Sequence, residues 1–236
     1  GGLLVVRVVE GYVARVSFEG QAGQDGLLAP YAEKITAARP ATLVALERNI
    51  LLVNDLPGIA VRNSALQKID DEGAYEIVVS LDYDAFDGVA YLDNRGTPSV
   101  GRLQSWLSGA TNSVLGWGER VQLGFFTVPN QPSELLYGEL SYRQPVGAEG
   151  TVVSGTISGS RTDAGADLAA LDSEGHSVRV TLRASHPILL ARSRRLTATG
   201  TFDYLDIGED RLGHTNLQDS LRVFRAGLDY LQDDSW

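Results

Sequence analysis

Residues 177–185 read SVRVTLRAS, and apolar and polar residues alternate strictly along them. Valine, leucine and alanine occupy the even-numbered positions, whereas serine, threonine and arginine occupy the odd-numbered ones. Successive side chains of a β-strand point to opposite faces, so this pattern predicts a strand with one apolar and one polar face.

The same alternation recurs through the second part of the chain, for example in VQLGFFT at 121–127 and LTATGTFDY at 196–204. Together these patterns predict eight strands, at about 87–94, 101–110, 119–128, 135–145, 151–161, 177–186, 195–205 and 220–231. Strands of about 9–11 residues are long enough to cross a membrane in an antiparallel β-barrel. A soluble antiparallel sandwich alternates in the same way, so periodicity alone leaves both architectures open.

The connections between the later strands differ in length. The links at 162–176 and 206–219 are long and polar, whereas those at 146–150 and 187–194 are short. Long and short links alternate along the chain, so they fall at opposite ends of an antiparallel sheet. Outer-membrane barrels have long external loops and short periplasmic turns. The connection lengths therefore favour a transmembrane barrel.

The first 80 residues have a mixed pattern that predicts a small α+β module. Its predicted elements are a strand at 12–18, helices beginning near Asp25 and Leu43, and strands at 59–66 and 74–81. The order strand, helix, helix, strand, strand distinguishes this module from the strands that follow. Residues 1–9 already have a strand pattern, so we expect the chain to begin within a domain and without a signal peptide.

Composition excludes several classes of function. The chain has 236 residues with 20 lysines and arginines against 30 acids, a formal charge of −10. Nucleic acids and anionic membrane surfaces attract clustered cations, so neither is expected as the main partner. The sequence contains no cysteine, which excludes thiolate chemistry and disulfides. No stretch approaches the ~18 consecutive apolar residues of a membrane-spanning helix.

The sequence contains little that indicates catalysis. The spacing of His176, His186 and His214 matches neither a metal site nor a nucleophile–base pair. The acidic residues at 203–210 lack the order of a calcium-binding loop. A phosphate-cradling glycine motif is also missing. We therefore expect no enzymatic activity, no metal, no cofactor and no small-molecule substrate.

The polar face of the predicted strands carries charges that need water. A charge facing lipid near the middle of a bilayer costs about 2–4 kcal/mol, so in a barrel these side chains line a wet lumen. In a soluble sheet they would form the solvated face instead. The predicted lumen-lining residues are Arg120, Glu139, Arg143, Arg179, Arg183, Asp203, Arg225 and Asp229.

Four short sequences in order resemble the hemolysin secretion/activation family, the outer-membrane transporters of two-partner secretion in Gram-negative bacteria. They are RVVEGY at 7–12, LERNILLVNDLPG at 46–58, DNRG at 93–96 and VGR at 100–102. The resemblance implies that residues 1–10 are the last strand of a polypeptide-transport-associated (POTRA) domain. It further implies that residues 11–82 form a second POTRA domain, in the periplasm. Residues 83–236 would form the N-terminal half of an outer-membrane barrel, with eight of sixteen strands.

The resemblance also implies a function. The family binds an unfolded exoprotein through its periplasmic POTRA domains and passes it through the barrel to the cell surface, without a cofactor. Half a barrel leaves unpaired edges, so we do not expect this chain alone to transport. Two alternatives remain, an outer-membrane protein insertase of the same superfamily and a soluble all-β binding module.

An extended client segment adds most simply to an exposed sheet edge. By analogy with other POTRA domains, the edge is the second strand of the module, and the groove beside the first helix is a second candidate. The predicted client-binding residues are Ala60, Val61, Arg62, Asn63, Ser64 and Ala65 on the edge, and Tyr31 and Ile35 in the groove.

Overall fold

The structure is a computed structural model that describes residues 3–4, 10–20, 24–163, 165, 170 and 172–233. The strand predicted at 1–10 therefore lies almost entirely outside the described residues.

The N-terminal part of the chain is a small domain with two helices packed on a three-stranded sheet. Its elements are β1 (Tyr12–Glu19), α1 (Asp25–Ala37), α2 (Leu43–Asn54), β2 (Ile59–Lys68) and β3 (Ala74–Tyr83). The strand order is β1-β3-β2, with β1 parallel and β2 antiparallel to β3. The order of elements is the one that the sequence pattern predicts.

Local sequence signals define the limits of α2. The Thr42 hydroxyl accepts a hydrogen bond from the Ala45 backbone N–H over 3.3 Å, which caps the first turn. The helix ends at Asn54, and Pro57 and Gly58 follow, with a φ of +74° at the glycine. Glycine adopts this left-handed conformation at little cost, so the chain reverses here and enters β2.

The core of the small domain lies between the helices and the sheet. It contains Leu28 and Ile35 from α1, Leu52 from α2, and Ile77 and Val79 from β3, all almost completely buried. Burying an aliphatic side chain of this size contributes about 1.5–3 kcal/mol.

The C-terminal part is one antiparallel sheet whose eight strands pair in the order of the sequence. The strands are β4 (Phe86–Asp93), β5 (Gln104–Asn112), β6 (Arg120–Thr127), β7 (Leu135–Val146), β8 (Thr151–Asp163), β9 (Ser173–Ala191), β10 (Arg194–Arg211) and β11 (His214–Gln232). A sandwich would divide these strands between two packed sheets. The single continuous sheet instead has the topology of half a barrel, as predicted.

One of the long polar links predicted from the sequence is instead a hairpin. Residues 206–219 continue β10 and β11 and reverse at Leu212 and Gly213, which both have positive φ, +50° and +71°. The link predicted at 162–176 is likewise shorter, because β9 begins at Ser173. Polar side chains pair across the hairpin; for example, the Ser220 hydroxyl donates to Asp206 over 2.5 Å. A paired strand in water needs no apolar face, so polarity did not indicate where these strands end.

The sheet has one strongly apolar face. Cross-strand pairing places Leu123, Leu140, Ile157 and Val180 in one row on this face. Large apolar side chains remain uncovered across it, and Phe224 and Leu228 are 74% and 68% exposed. Soluble monomers rarely expose an apolar surface that extends across several strands. Such a surface is expected where a barrel contacts lipid.

Candidate functional site

The opposite face of the large sheet collects all of the predicted lumen-lining charges. In a continuous cross-strand row, Arg120 pairs with Arg143, and Arg183 is linked to Arg143 through Ser154 and to Arg225 through Thr201. Residues separated by an even number of positions on a strand share a face. Glu139, Arg179, Asp203 and Asp229 therefore lie on the same face as these arginines.

Some of these charges are paired within the polar face. A carboxylate oxygen of Asp87 accepts a hydrogen bond from Arg120 over 2.9 Å, and Asp203 forms an ion pair with Arg225. The Tyr137 hydroxyl donates to Glu139 over 2.7 Å. Within the described part of the chain, Arg143, Arg179 and Arg183 have no ion pair, so their guanidinium groups need water or another acidic partner.

The second predicted site is the edge of the small sheet, and β2 is one of the two edge strands. Ala60, Arg62, Asn63, Ser64 and Ala65 are exposed, and Val61 is half-buried. Arg62 forms an ion pair with Asp82 on the neighbouring strand. The six predicted edge residues are therefore at the surface or close to it.

The N–H group of Val61 marks the outward side of β2. It donates to Oδ1 of Asn54, at the end of α2, over 2.9 Å, so it is not bonded to β3. Arg62 is an extra residue at this point, because the register advances two residues on β2 for one on β3 between Val61 and Asn63. A β-bulge of this kind shifts the alternation of inward and outward groups by one residue.

Hydrogen bonding at the far end of β2 shows which N–H groups of this strand point away from β3. The Ile69 N–H donates to the Ala74 carbonyl oxygen over 2.9 Å, so this pair is hydrogen-bonded. Bonded and non-bonded pairs alternate along an antiparallel ladder, and counting back places Leu66 and Ser64 in non-bonded pairs. The N–H groups of Ser64 and Leu66 therefore point away from the sheet, whereas that of Asn63 points to β3.

An apolar groove of about 610 Å³ lies between α2 and this edge. Most of its apolar lining comes from one stripe of the helix and from the inner side of β2: Leu43, Leu46, Ile50, Leu51, Val61 and Leu66. Leu43 is 71% and Leu66 is 54% exposed, so the groove is open to solvent. It can accept side chains of a strand added to β2.

The predicted groove residues Tyr31 and Ile35 are not part of this surface. They are only 3% and 0% exposed, because their side of α1 packs into the core of the small domain. Burial, together with the nearby carboxylate of Asp55, raises the pKa of the Tyr31 hydroxyl. The prediction of a groove beside the first helix was wrong, since the accessible groove lies beside the second helix.

The small domain is attached to the large sheet through three turns at one end of that sheet, β5–β6, β7–β8 and β9–β10. At the β5–β6 turn, the Ser113 hydroxyl donates to Gln24 Oε1 over 2.7 Å. At the β9–β10 turn, Arg195 Nη2 lies 2.9 Å from both carboxylate oxygens of Asp55. Leu190, near the end of β9, is 3% exposed and belongs to the small domain's core.

The β7–β8 turn contributes an ion cluster to this attachment. Lys34 and Arg48 of the small domain both pair with Glu149, and Lys34 also donates to the Ala148 carbonyl oxygen over 2.8 Å. The hydrogen bond from Lys34 holds the pKa of Glu149 below its ordinary value, and the charge of Arg48 acts in the same direction.

The lowered pKa of Glu149 predicts that acid weakens this attachment. The contribution of the carboxylate is complete above the ordinary glutamate pKa and is lost as the pH falls through the lowered value in the attached state. Because Glu149 is well exposed, we expect a modest effect. Spin labels on cysteines introduced at Gln67 and Val146 should give a broader distance distribution at pH 4 than at pH 7.

The matched control for this measurement is Glu149→Gln, which removes the titrating group. The variant should show a smaller change between the two pH values, because only the other acidic contacts of the interface still titrate. An equal broadening in both proteins would contradict the role of Glu149.

Membrane-spanning helices and metal-binding clusters are both absent from the described ranges. None of the helices there combines the length and the apolar character needed to cross a membrane. The same residues contain no cluster of three or more histidine, cysteine, aspartate or glutamate side chains suited to a metal ion.

Comparison with known proteins gives relatives in both sequence and fold, although no protein-family model matches the chain. The heme/hemopexin transporter protein HuxB of Haemophilus influenzae strain 86-028NP is 22% identical over 188 residues, which are 78% of this chain and 32% of HuxB. The chain thus spans about a third of the length of this curated relative.

Several solved structures share the fold, among them the following three. CdiB from Escherichia coli matches with a TM-score of 0.79 and 19% identity, over 96% of this chain and 43% of CdiB. CdiB from Acinetobacter baumannii matches with a TM-score of 0.67 and 12% identity, over 95% of this chain and 43% of that protein. BamA from Haemophilus ducreyi, lacking POTRA domains 1–3, matches with a TM-score of 0.53 and 14% identity, over 95% of this chain and 44% of the BamA chain.

These relatives agree with the expected class and location. They are outer-membrane proteins with a β-barrel and periplasmic POTRA domains, and HuxB and CdiB are transporters rather than enzymes. The fold predicted from the sequence is confirmed, with a small helix-containing domain followed by an eight-stranded half of a barrel. The likeness to HuxB in sequence and to CdiB in fold confirms the resemblance to the two-partner secretion transporters of the hemolysin secretion/activation family.

Proposed function

We propose that this chain is the POTRA-bearing N-terminal part of a two-partner secretion transporter in the outer membrane. Residues 11–82 bind an unfolded exoprotein in the periplasm, and residues 83–236 form half of the barrel through which it passes. The observation that carries the proposal is a small domain with an open strand edge, β2, that is attached directly to the turns at one end of a sheet with one apolar and one polar face.

The two faces of the sheet support membrane insertion with a polar interior. The apolar face contacts lipid, and the polar face lines a water-filled lumen with the eight predicted charges. Arg143, Arg179 and Arg183, which have no ion pair among the described residues, remain hydrated there. An unfolded polypeptide sliding over this surface meets hydroxyl and charged groups, which do not hold apolar segments firmly.

The free edge supports capture of an unfolded client. Backbone N–H groups of Ser64 and Leu66 point outward, and a strand that pairs with them is bound mainly through its own backbone. Such binding tolerates many side chains, which a transporter of a long polypeptide requires. Binding and passage of the client need no catalytic group and no cofactor.

The likeness to BamA supports a second candidate, an insertase that folds other barrels into the outer membrane. The lower TM-score of BamA, 0.53 against 0.79 for CdiB, and the sequence likeness to HuxB favour the secretion transporter. Loss of one secreted protein on deletion of the gene supports the transporter, whereas a general loss of outer-membrane barrels supports the insertase.

The edge is tested in the natural full-length protein by Ser64→Pro. Proline removes an outward N–H, and its ring occupies the space of an added strand, while the ladder to β3 stays intact. A neutral backbone hydrogen bond contributes about 0.5–1.5 kcal/mol, and with the steric block we expect secretion to fall at least about tenfold. The measurement is the amount of exoprotein in the medium. The exoprotein is identified as the protein that is lost from the medium when the gene for the transporter is deleted.

Ser64→Ala is the matched control, because it keeps the backbone N–H and should secrete normally. Heat-modifiability of the barrel on gels should be unchanged in both variants. Normal secretion by Ser64→Pro would contradict edge capture, and equal loss in both variants would assign the effect to the serine side chain.

A further inference from the structure

The groove beside β2 is not lined by the small domain alone, because Arg192 of the β9–β10 turn also contributes to it. We propose that Arg192 binds an acidic side chain of the extended client segment and so makes the groove selective for a carboxylate at one end. This inference rests on the proposed capture of a client strand at β2.

The size of the groove fits a short extended segment. The chain reverses after Asn54, so β2 returns along α2 with Val61 beside the end of the helix and Leu66 beside its beginning. Twelve helical residues and five strand steps both span roughly 16–18 Å. A segment of about five residues, paired with the outward N–H groups of Ser64 and Leu66, therefore fills the groove.

Arg192 lies at the end of this groove where α2 ends. Asp55, which directly follows the helix, is bonded to Arg195, three residues beyond Arg192. Leu51 and Asn54, from the last turn of the helix, line the groove together with Arg192. The small domain and the large sheet thus form this end of the binding surface jointly.

The charges around the groove differ along its length. Arg62 is paired with Asp82, whereas Arg192 is exposed and has no ion pair in the part of the chain that the structure describes. Glu47, in the second turn of α2, is the acidic residue of the lining. A carboxylate of the client is therefore attracted at the Arg192 end and repelled near Glu47.

These features determine the chemistry of the occupant. Alternate side chains of an added strand point to the same face, so its apolar residues contact Leu46, Ile50 and Leu66. An acidic residue at the end of the segment reaches Arg192. The partner is therefore an extended polypeptide with apolar residues at alternate positions and an aspartate or glutamate next to them.

The test uses the natural full-length protein in detergent micelles and three fluorescent eight-residue peptides. All have the same alternating threonine and valine core, and they carry aspartate, asparagine or lysine at both ends, so the direction of binding does not matter. Fluorescence anisotropy gives the dissociation constants. We expect the aspartate peptide to bind about fivefold more tightly than the asparagine peptide.

Arg192→Glu should reverse this preference in favour of the lysine peptide and leave the asparagine peptide unchanged. Arg194→Glu is the matched control, because Arg194 is exposed in the same hairpin and does not line the groove. It should keep the preference for aspartate. Ser64→Pro should weaken binding of all three peptides.

The outcomes separate this inference from the proposed function. An unchanged preference in Arg192→Glu, with loss of binding in Ser64→Pro, would overturn the role of Arg192 and leave edge capture standing. Unchanged binding in Ser64→Pro would overturn edge capture, and the inference with it. Failure of all three peptides to bind would also overturn both.

Discussion

Replacing Ile157 by arginine should strongly destabilise the folded barrel. Ile157 lies in the middle of β8, between Leu140 and Val180 on the apolar face, and is half exposed. An arginine on the lipid face at the bilayer midplane costs about 2–4 kcal/mol. The folding equilibrium should shift by roughly 30- to 1000-fold. The measurement is denaturant unfolding of the natural full-length protein in lipid vesicles, with folded and unfolded forms separated on unheated gels.

The neighbouring residue provides the matched control. Thr156 lies between Ser141 and Thr181 on the polar face, so an arginine there is surrounded by hydroxyl groups and water. Thr156→Arg should change the free energy of unfolding by less than about 0.5 kcal/mol. Similar losses in both variants, or a greater loss for Thr156→Arg, would contradict the assignment of the two faces.

The second large effect is expected at Leu190, where a strand of the large sheet enters the core of the small domain. Leu190→Ala removes buried contacts and leaves a cavity, which costs about 2–5 kcal/mol. The attachment of the two parts should weaken by this amount. Hydrogen exchange of the α2 amides should accelerate at least roughly 30-fold, because the helix loses its packing against β9.

Leu189→Ala is the control for this prediction. Leu189 is adjacent on β9, but 38% exposed, so its truncation removes less buried surface. Exchange in α2 should change little. If both variants left α2 equally protected, the attachment would not depend on Leu190, and the three turns would have to hold the small domain through polar contacts alone.

Much of the fold follows from local patterns in the sequence. The strict alternation at 177–185 predicts both the strand and its two faces, and the structure places Arg179 and Arg183 on the polar one. Helix-forming periodicity and the Pro57–Gly58 turn likewise predict α2 and its end. These signals are local, because side-chain direction depends only on position within a helix or strand.

Local sequence patterns do not predict where the strands end or which strand edges are exposed. The polar residues at 206–219 suggested a loop, but they pair across a hairpin. The three strands β9 to β11 have 18 or 19 residues, about 60 Å if fully extended, roughly twice the thickness of a hydrocarbon core. Hydrogen bonding between strands stabilises this region, and it leaves no period in hydrophobicity.

The sequence by itself determined the order of the elements, the two faces of the large sheet and the family that the chain resembles. Only the tertiary structure decided which N–H groups of β2 point outward, since one extra residue at Arg62 reverses their direction without a sequence signal. It also showed that the candidate groove lies beside α2 and not beside Tyr31 and Ile35. Arg192 lines that groove although it is more than a hundred residues away in the sequence. The physical reason is that periodicity records the direction of a side chain, whereas a binding surface depends on which distant elements pack beside it.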